Sequence, residues 1–248
     1  MKRVLGIGGA VAMGAVLLLA SPAGATPKDA PSGGAATAST TIHVPSDFAP
    51  TLSDTRATGH YAVVGTGLRV WTEGSTSTDK VAEYVATSRP LTEVGEPALG
   101  YTDTTGGGVP GAQLVVDFDG NGTQDGILIG EPGVYGDDWW LNNSAQQFVK
   151  DAAPSHTGGF GSANHGTLDG WRASFPDAKV LAFGFSLGSG VKGDGVIESI
   201  TFAGAKYTFA KDVKLTSKNE CKNGGWATST LPVYTNQGDC VSSFASGR

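Results

Sequence analysis

Cysteine is nearly missing from this chain of 248 residues: Cys221 and Cys240 are the only two, both near the C-terminus. Neither has a histidine beside it or a second thiol close by, so no thiol metal site and no activated cysteine nucleophile is expected. Positive charge is also short, with 17 Lys and Arg against 23 Asp and Glu and a net charge of −6. Gripping a phosphate backbone takes clustered Lys and Arg, which argues against a nucleic-acid partner. After the first twenty residues no apolar run is long enough to span a bilayer. Helical periodicity is sparse, and no internal repeat of a solenoid or propeller kind is present.

What is present begins with MKRVLGIGGAVAMGAVLLLASPAGA. Lys2 and Arg3 precede the apolar run 4–20, and Ala23, Gly24 and Ala25 offer small residues to a processing enzyme. Residues 1–25 are therefore expected to be a secretory signal. A membrane anchor fits less well, because glycines break the run, Pro22 follows it and no basic stop-transfer flank is present. With no cysteine after it, there is no lipid attachment site. A chain bound for an extracellular, oxidising compartment should pair Cys221 with Cys240.

Residues 26–41, TPKDAPSGGAATASTT, are small and polar and carry no apolar period, which reads as a disordered leader. From 42 to 211 strand-like runs recur between glycine-rich turns: HYAVVG, GLRVWTE, KVAEYVAT, AQLVVDF, GILIGE, KVLAFGFSL, GVIESITF and AKYTFA. That rhythm predicts an all-β fold, a jelly-roll or concanavalin-like β-sandwich with a few short helices. Ala203 and Gly204 read as a hairpin turn. Asn143 or Ser144 is placed to cap a short helix in NNSAQQFVKDAAP, and Thr167 to cap a turn that sets Leu168, Trp171 and Phe175 on one side. Residues 212–248 form a small disulfide-closed tail. Residues 26–205 hold 9 basic and 20 acidic side chains and residues 206–248 hold 6 and 3, so the tail can lean on an anionic surface or simply carry solvated lysines.

The run VVDFDGNGTQDGILIG, residues 115–130, crowds three aspartates and an asparagine between two strand-like segments. Counted from Asp117, side-chain oxygens fall at positions one, three, five and nine: Asp117, Asp119, Asn121 and Asp125. Gly122 at position six permits a sharp bend, and the backbone carbonyl of Thr123 at position seven can add an oxygen. Oxygen donors favour calcium over zinc. Leu128 stands where an EF-hand has its bidentate glutamate, so the loop is not an EF-hand, and Glu131, Asp137 or Asp138 is a candidate for a further ligand. The pattern is similar to calcium loops that join strands in secreted bacterial β domains. The alternative is a polar Asn-Gly turn with solvated aspartates.

Several other patterns are weaker. Gly184-Phe185-Ser186-Leu187-Gly188 matches a nucleophile elbow, but all 4 histidines precede Ser186 and a glycine-rich loop follows it, so Ser186 reads as an ordinary strand residue. Glu73, Glu83, Glu131 and Glu198 lie on or beside predicted strands, and a glycosidase would need two of them to meet. His156 and His165 flank a loop without a supporting cluster and read as solvent-facing. In Asp137-Asp138-Trp139-Trp140, adjacent strand residues point to opposite faces, so one indole is expected to be partly exposed. With Asn142 nearby, such an indole suits stacking on a sugar ring, while a tryptophan capping the sheet edge is the plainer alternative.

The tail sequence ECKNGGWATSTLPVYTNQGDCVSSFASG resembles the C-K-N-G-G-W … N-Q-G-D-C-V-S ending of secreted proteins of actinobacterial-type Gram-positive bacteria, with Tyr234 where that ending commonly has phenylalanine. WWLNNSAQQFVKD and LAFGFSLGSGVKGDGVIESITFAGAKYTF are similar to secreted proteins of the same group. The resemblance implies a β-sandwich and an extracellular location, and brings no catalytic residues. The expected function is a secreted, calcium-stabilised, non-catalytic binding protein for extracellular polysaccharide or cell-wall polymer. A secreted glycosidase with dispersed carboxylates and a structural or inhibitory extracellular protein are the alternatives.

Overall fold

The computed structural model describes residues 39–157 and 162–245. The expected signal at 1–25 and most of the leader lie outside the described residues.

Strict alternation of apolar and polar side chains makes one face of a strand bury and the other face water. The chain meets that demand with two packed sheets of six strands each. The first sheet runs β1 (Ser39–Val44), β12 (Ala205–Lys211), β11 (Gly193–Phe202), β3 (Gly67–Thr72) and β2 (His60–Val64), with β5 (Ala98–Asp103) also paired to β11. The second runs β4 (Lys80–Pro90), β10 (Lys179–Gly188), β6 (Gly111–Asp117), β7 (Gly126–Gly130), β8 (Asp138–Leu141) and β9 (His165–Thr167). Leu68, Val70 and Ile197 from one sheet and Val81, Leu114, Val116 and Phe185 from the other belong to a single core. Phe183 and Phe202 stack across it with centroids 4.2 Å apart.

Pairing is antiparallel except between β1 and β12, which run parallel with Ile42 opposite Phe209. β1 begins at Ser39, three residues earlier than the predicted boundary, because Ser39, Thr40 and Thr41 find backbone partners on β12 even though their side chains are exposed. At Ala203 and Gly204, with φ of 50° and 75°, the predicted hairpin turn joins β11 to β12. The free edge of β4 is covered by residues 49–56, whose amides at Ala49, Asp54 and Arg56 donate to the carbonyls of Tyr84, Ala82 and Lys80. Covering an edge in this way blocks sheet-to-sheet association.

The described residues hold four α-helices, all short: α1 (Pro132–Tyr135), α2 (Gln147–Asp151), α3 (Leu168–Ser174) and α4 (Gln237–Ala245). Thr167 caps α3 as expected, its hydroxyl accepting from the Gly170 amide at 3.2 Å. Neither Asn143 nor Ser144 caps α2. That helix starts later, after Gln146, because the Gln146 amide is drawn to the Asp125 carbonyl at 2.8 Å.

The tail is closed by a disulfide between Cys221 and Cys240. Both cysteines and Tyr234 are buried in a cluster with Leu215, Trp226, Val241 and Phe244, all of them tail residues. Gly225 has no room for a side chain, since a Cβ there would lie 1.9 Å from the Glu220 carbonyl oxygen. That close approach lets Trp226 fold over the disulfide.

Candidate functional site

Val116 pairs with Gly126, so the intervening residues must turn within a short span. Gly120 and Gly122 supply that turn with φ of 76° and 90°, a region where side-chain-bearing residues are strained. The curl points backbone amides inward. Asp117 Oδ1 accepts from Gly120 at 2.8 Å and Asn121 at 3.1 Å, and its Oδ2 accepts from Gly122 at 2.9 Å. Asp125 Oδ2 accepts from the Phe118 amide at 2.8 Å. Asp117 and Asp125 are buried while Asp119 is exposed. Each of the three brings one carboxylate oxygen within 4.8 Å of the other two, a cluster that can hold a metal ion. The amides offset part of the repulsion among the carboxylates, and a cation among them would offset the rest.

Asn121 and Thr123 share the curl but direct their side chains within it. Asn121 Nδ2 donates to Asp119 Oδ2 at 3.0 Å, and its Oδ1 accepts from the amide and hydroxyl of Thr123. The three acids considered for a further ligand lie elsewhere. Glu131 follows the far end of β7, roughly 14 Å from Gly126 at the usual strand rise. Asp137 and Asp138 stand at that same far end, since Trp139 pairs with Gly130.

β8 divides the second group of candidates. Trp139 faces inward and is 6 % exposed. It fits because its partner is glycine, where a Cβ would come within 2.8 Å of the indole. Its carbonyl accepts from Trp171 Nε1 at 3.0 Å. Trp140 faces the other way and is half-buried, donating from Nε1 to Glu131 Oε2 at 3.3 Å. Burial pushes the Glu131 carboxyl above its ordinary value, and the indole bond opposes that push. Asp138 shares Trp140's face and meets His165 Nδ1 at 2.7 Å, while His165 Nε2 meets the Thr157 carbonyl at 2.7 Å. The bond to Thr157, then that to Asp138, raises the His165 pKa. His156 bonds Asn164 instead, at 3.1 Å. Asn142 lies beyond the other end of β8, where its Oδ1 accepts from the Ile127 amide at 2.8 Å and extends the β7 edge.

Trp139 and Asp137 meet again at a cleft of about 460 Å³, which Glu96, Thr167, Leu168 and Asp169 also line. Arg172 braces its rim, donating from Nη1 to Glu96 Oε1 at 2.9 Å and to Asp169 Oδ1 at 2.7 Å. A cleft lined by Trp139 with the acids Glu96, Asp137 and Asp169 and by Thr167 can take a polyhydroxylated ligand. Glu96, Thr167 and Asp169 were not candidates in the sequence. They reach the cleft through the pairing of Asp138 with Thr167 and through Arg172, neither of which leaves a local pattern. The four glutamates are distributed over both sheets. Glu83 on β4 accepts from the Thr55 hydroxyl at 2.6 Å, and Glu198 on β11 accepts from the Thr102 hydroxyl at 2.7 Å.

Compared with known proteins, the chain matches no protein-family model, no curated protein and no solved structure. No helix among the described residues is long and apolar enough to cross a membrane.

Proposed function

We propose that this is a secreted, jelly-roll-like β-sandwich that binds extracellular polysaccharide or cell-wall polymer without catalysis, with calcium seated in the loop between β6 and β7. The observation that carries the binding reading is the cleft where Trp139, Asp137, Thr167 and Asp169 converge. Calcium is supported by the all-oxygen donors of Asp117, Asp119 and Asp125, since carboxylate and carbonyl oxygens suit a hard cation. The disulfide fits an oxidising exterior.

A pull-down on insoluble polysaccharides and isolated cell wall tests the reading. Intact protein should be retained, and an Asp137→Ala, Asp169→Ala pair, which leaves Trp139 in the core, should be retained at least about tenfold less, a loss of some 1.4 kcal/mol. Equal retention of both proteins removes the cleft from the account. Product release from a polysaccharide panel would favour the hydrolase reading, for which the raised carboxyl of Glu131 beside Trp140 is the one supporting feature.

A further inference from the structure

Glu83 is a buried acid without a counter-charge. It shares a face of β4 with Val81 and Val85, two residues to either side, and sits opposite Phe185, so it turns toward the inner side of its sheet, where it is 5 % exposed. Its Oε1 accepts from the Thr55 hydroxyl at 2.6 Å. Among the described residues no lysine, arginine or histidine pairs with it. Two basic side chains near this edge of β4 are committed elsewhere: Lys80 Nζ, three residues before Glu83, reaches Asp54 Oδ2 at 3.0 Å, and Arg56 Nη1, next in the chain to Thr55, bonds the same oxygen. Carboxylates taken out of water are ordinarily paired, because the loss of hydration is otherwise uncompensated.

The space beside Glu83 is a pocket of about 390 Å³ at the rim of the sandwich, lined by Pro45, Phe48, Pro50, Thr55 and Tyr61 as well. Phe48 and Tyr61 form its aromatic wall, edge to face with centroids 5.6 Å apart. A hard metal ion is held by several carboxylate and carbonyl oxygens, whereas this pocket offers a single carboxylate, with the hydroxyl-bearing Ser53, Thr55 and Tyr61, among apolar Phe48, Pro45 and Pro50. An organic ammonium suits it better: the charge meets the carboxylate and the π faces, and the carbon substituents meet the apolar walls. We propose that this pocket binds an organic ammonium group, with Glu83 as counter-charge and Phe48 and Tyr61 as aromatic wall. The site lies apart from the cleft at Trp139 and does not depend on the polysaccharide reading.

Choline, with its uncharged carbon analogue as control, is the probe. Titrated into the intact protein and followed by calorimetry and NMR, choline should bind saturably and show contacts from its N-methyl protons to the rings of Phe48 and Tyr61. Glu83→Gln should weaken binding at least about tenfold, and so should the uncharged analogue, because both remove the charge pairing. Tyr61→Leu keeps the carboxylate and drops one ring, and should weaken choline by a smaller factor; it decides the matter if Glu83→Gln fails to fold. The proposal is overturned if choline makes no saturable contact with those rings. It is equally overturned if the analogue binds as tightly, or if a folded variant retains wild-type affinity.

Discussion

Gly130 shows how one missing side chain sets a local arrangement. Trp139 lies over it so closely that a methyl group there would sit 2.8 Å from the indole. Gly130→Ala should therefore destabilise the fold by about 1–3 kcal/mol as the ring is forced off its site, with a red-shifted tryptophan emission; an unchanged midpoint in urea would contradict this packing. His165 gives a pH signature. Its pKa is raised by the Thr157 carbonyl and the Asp138 carboxylate, so the charged imidazole stabilises the folded state. That contribution is fully present below the ordinary histidine value of roughly 6.5 and is lost as pH rises through the raised folded value. The melting-temperature gap between wild type and His165→Gln should be widest in acid and shrink above neutrality. A gap that grows with pH would refute the assignment.

Among the elements, β8 and the tail carry the sharpest consequences. β8 is only four residues, Asp138–Leu141, yet it sends Trp139 to the core and Trp140 to the outer face. Alternation was legible in Asp137-Asp138-Trp139-Trp140, and it required the two indoles to part. Which one turned inward followed from the pairing of Trp139 with Gly130, a contact across nine positions that leaves no periodic mark. At α2 the converse holds: the polar run before it offers Asn143 or Ser144 as a cap, and the Asp125 carbonyl sets the start after Gln146 instead. The tail packs its cluster from its own residues around the disulfide. Replacing Cys221 and Cys240 with serine should cost the tail roughly 3 kcal/mol of loop-closure stability. Hydrogen exchange should quicken at tail amides and stay slow in the two sheets; loss of protection throughout would mean that the tail supports the sandwich.

At the scale of the molecule, the loop between β6 and β7 bears on the stability of the whole sandwich, because β6 and β7 are interior strands of their sheet. A calcium ion held by Asp117, Asp119 and Asp125 would stabilise the folded chain alone, by about 2.7 kcal/mol at a hundredfold excess over its Kd. Calorimetry in saturating calcium should give a higher melting temperature than in excess EDTA, and identical melting in the two conditions would remove the ion. The parallel pairing of β1 with β12 joins the start of the described chain to its later part, Ser39 opposite Lys206. No turn signal announces such a pairing, so the sequence alone does not mark the strand at Ser39–Val44, and its first residues read there as leader.

By itself the sequence determined the apolar runs between glycine-rich turns that make eight of the strands, the Ala203-Gly204 hairpin, the Thr167 cap and the grouping of aspartates around Gly122. These are short-range matters, settled by side-chain size, φ preference and a period of two. The tertiary structure alone decided strand order, the burial of Trp139 over Gly130, the cleft shared by Asp137 and Asp169, and the unpaired carboxylate of Glu83 beside Phe48 and Tyr61. Each of those depends on which strands become neighbours, and neighbours are chosen by the packing of whole faces, which no local stretch of sequence encodes.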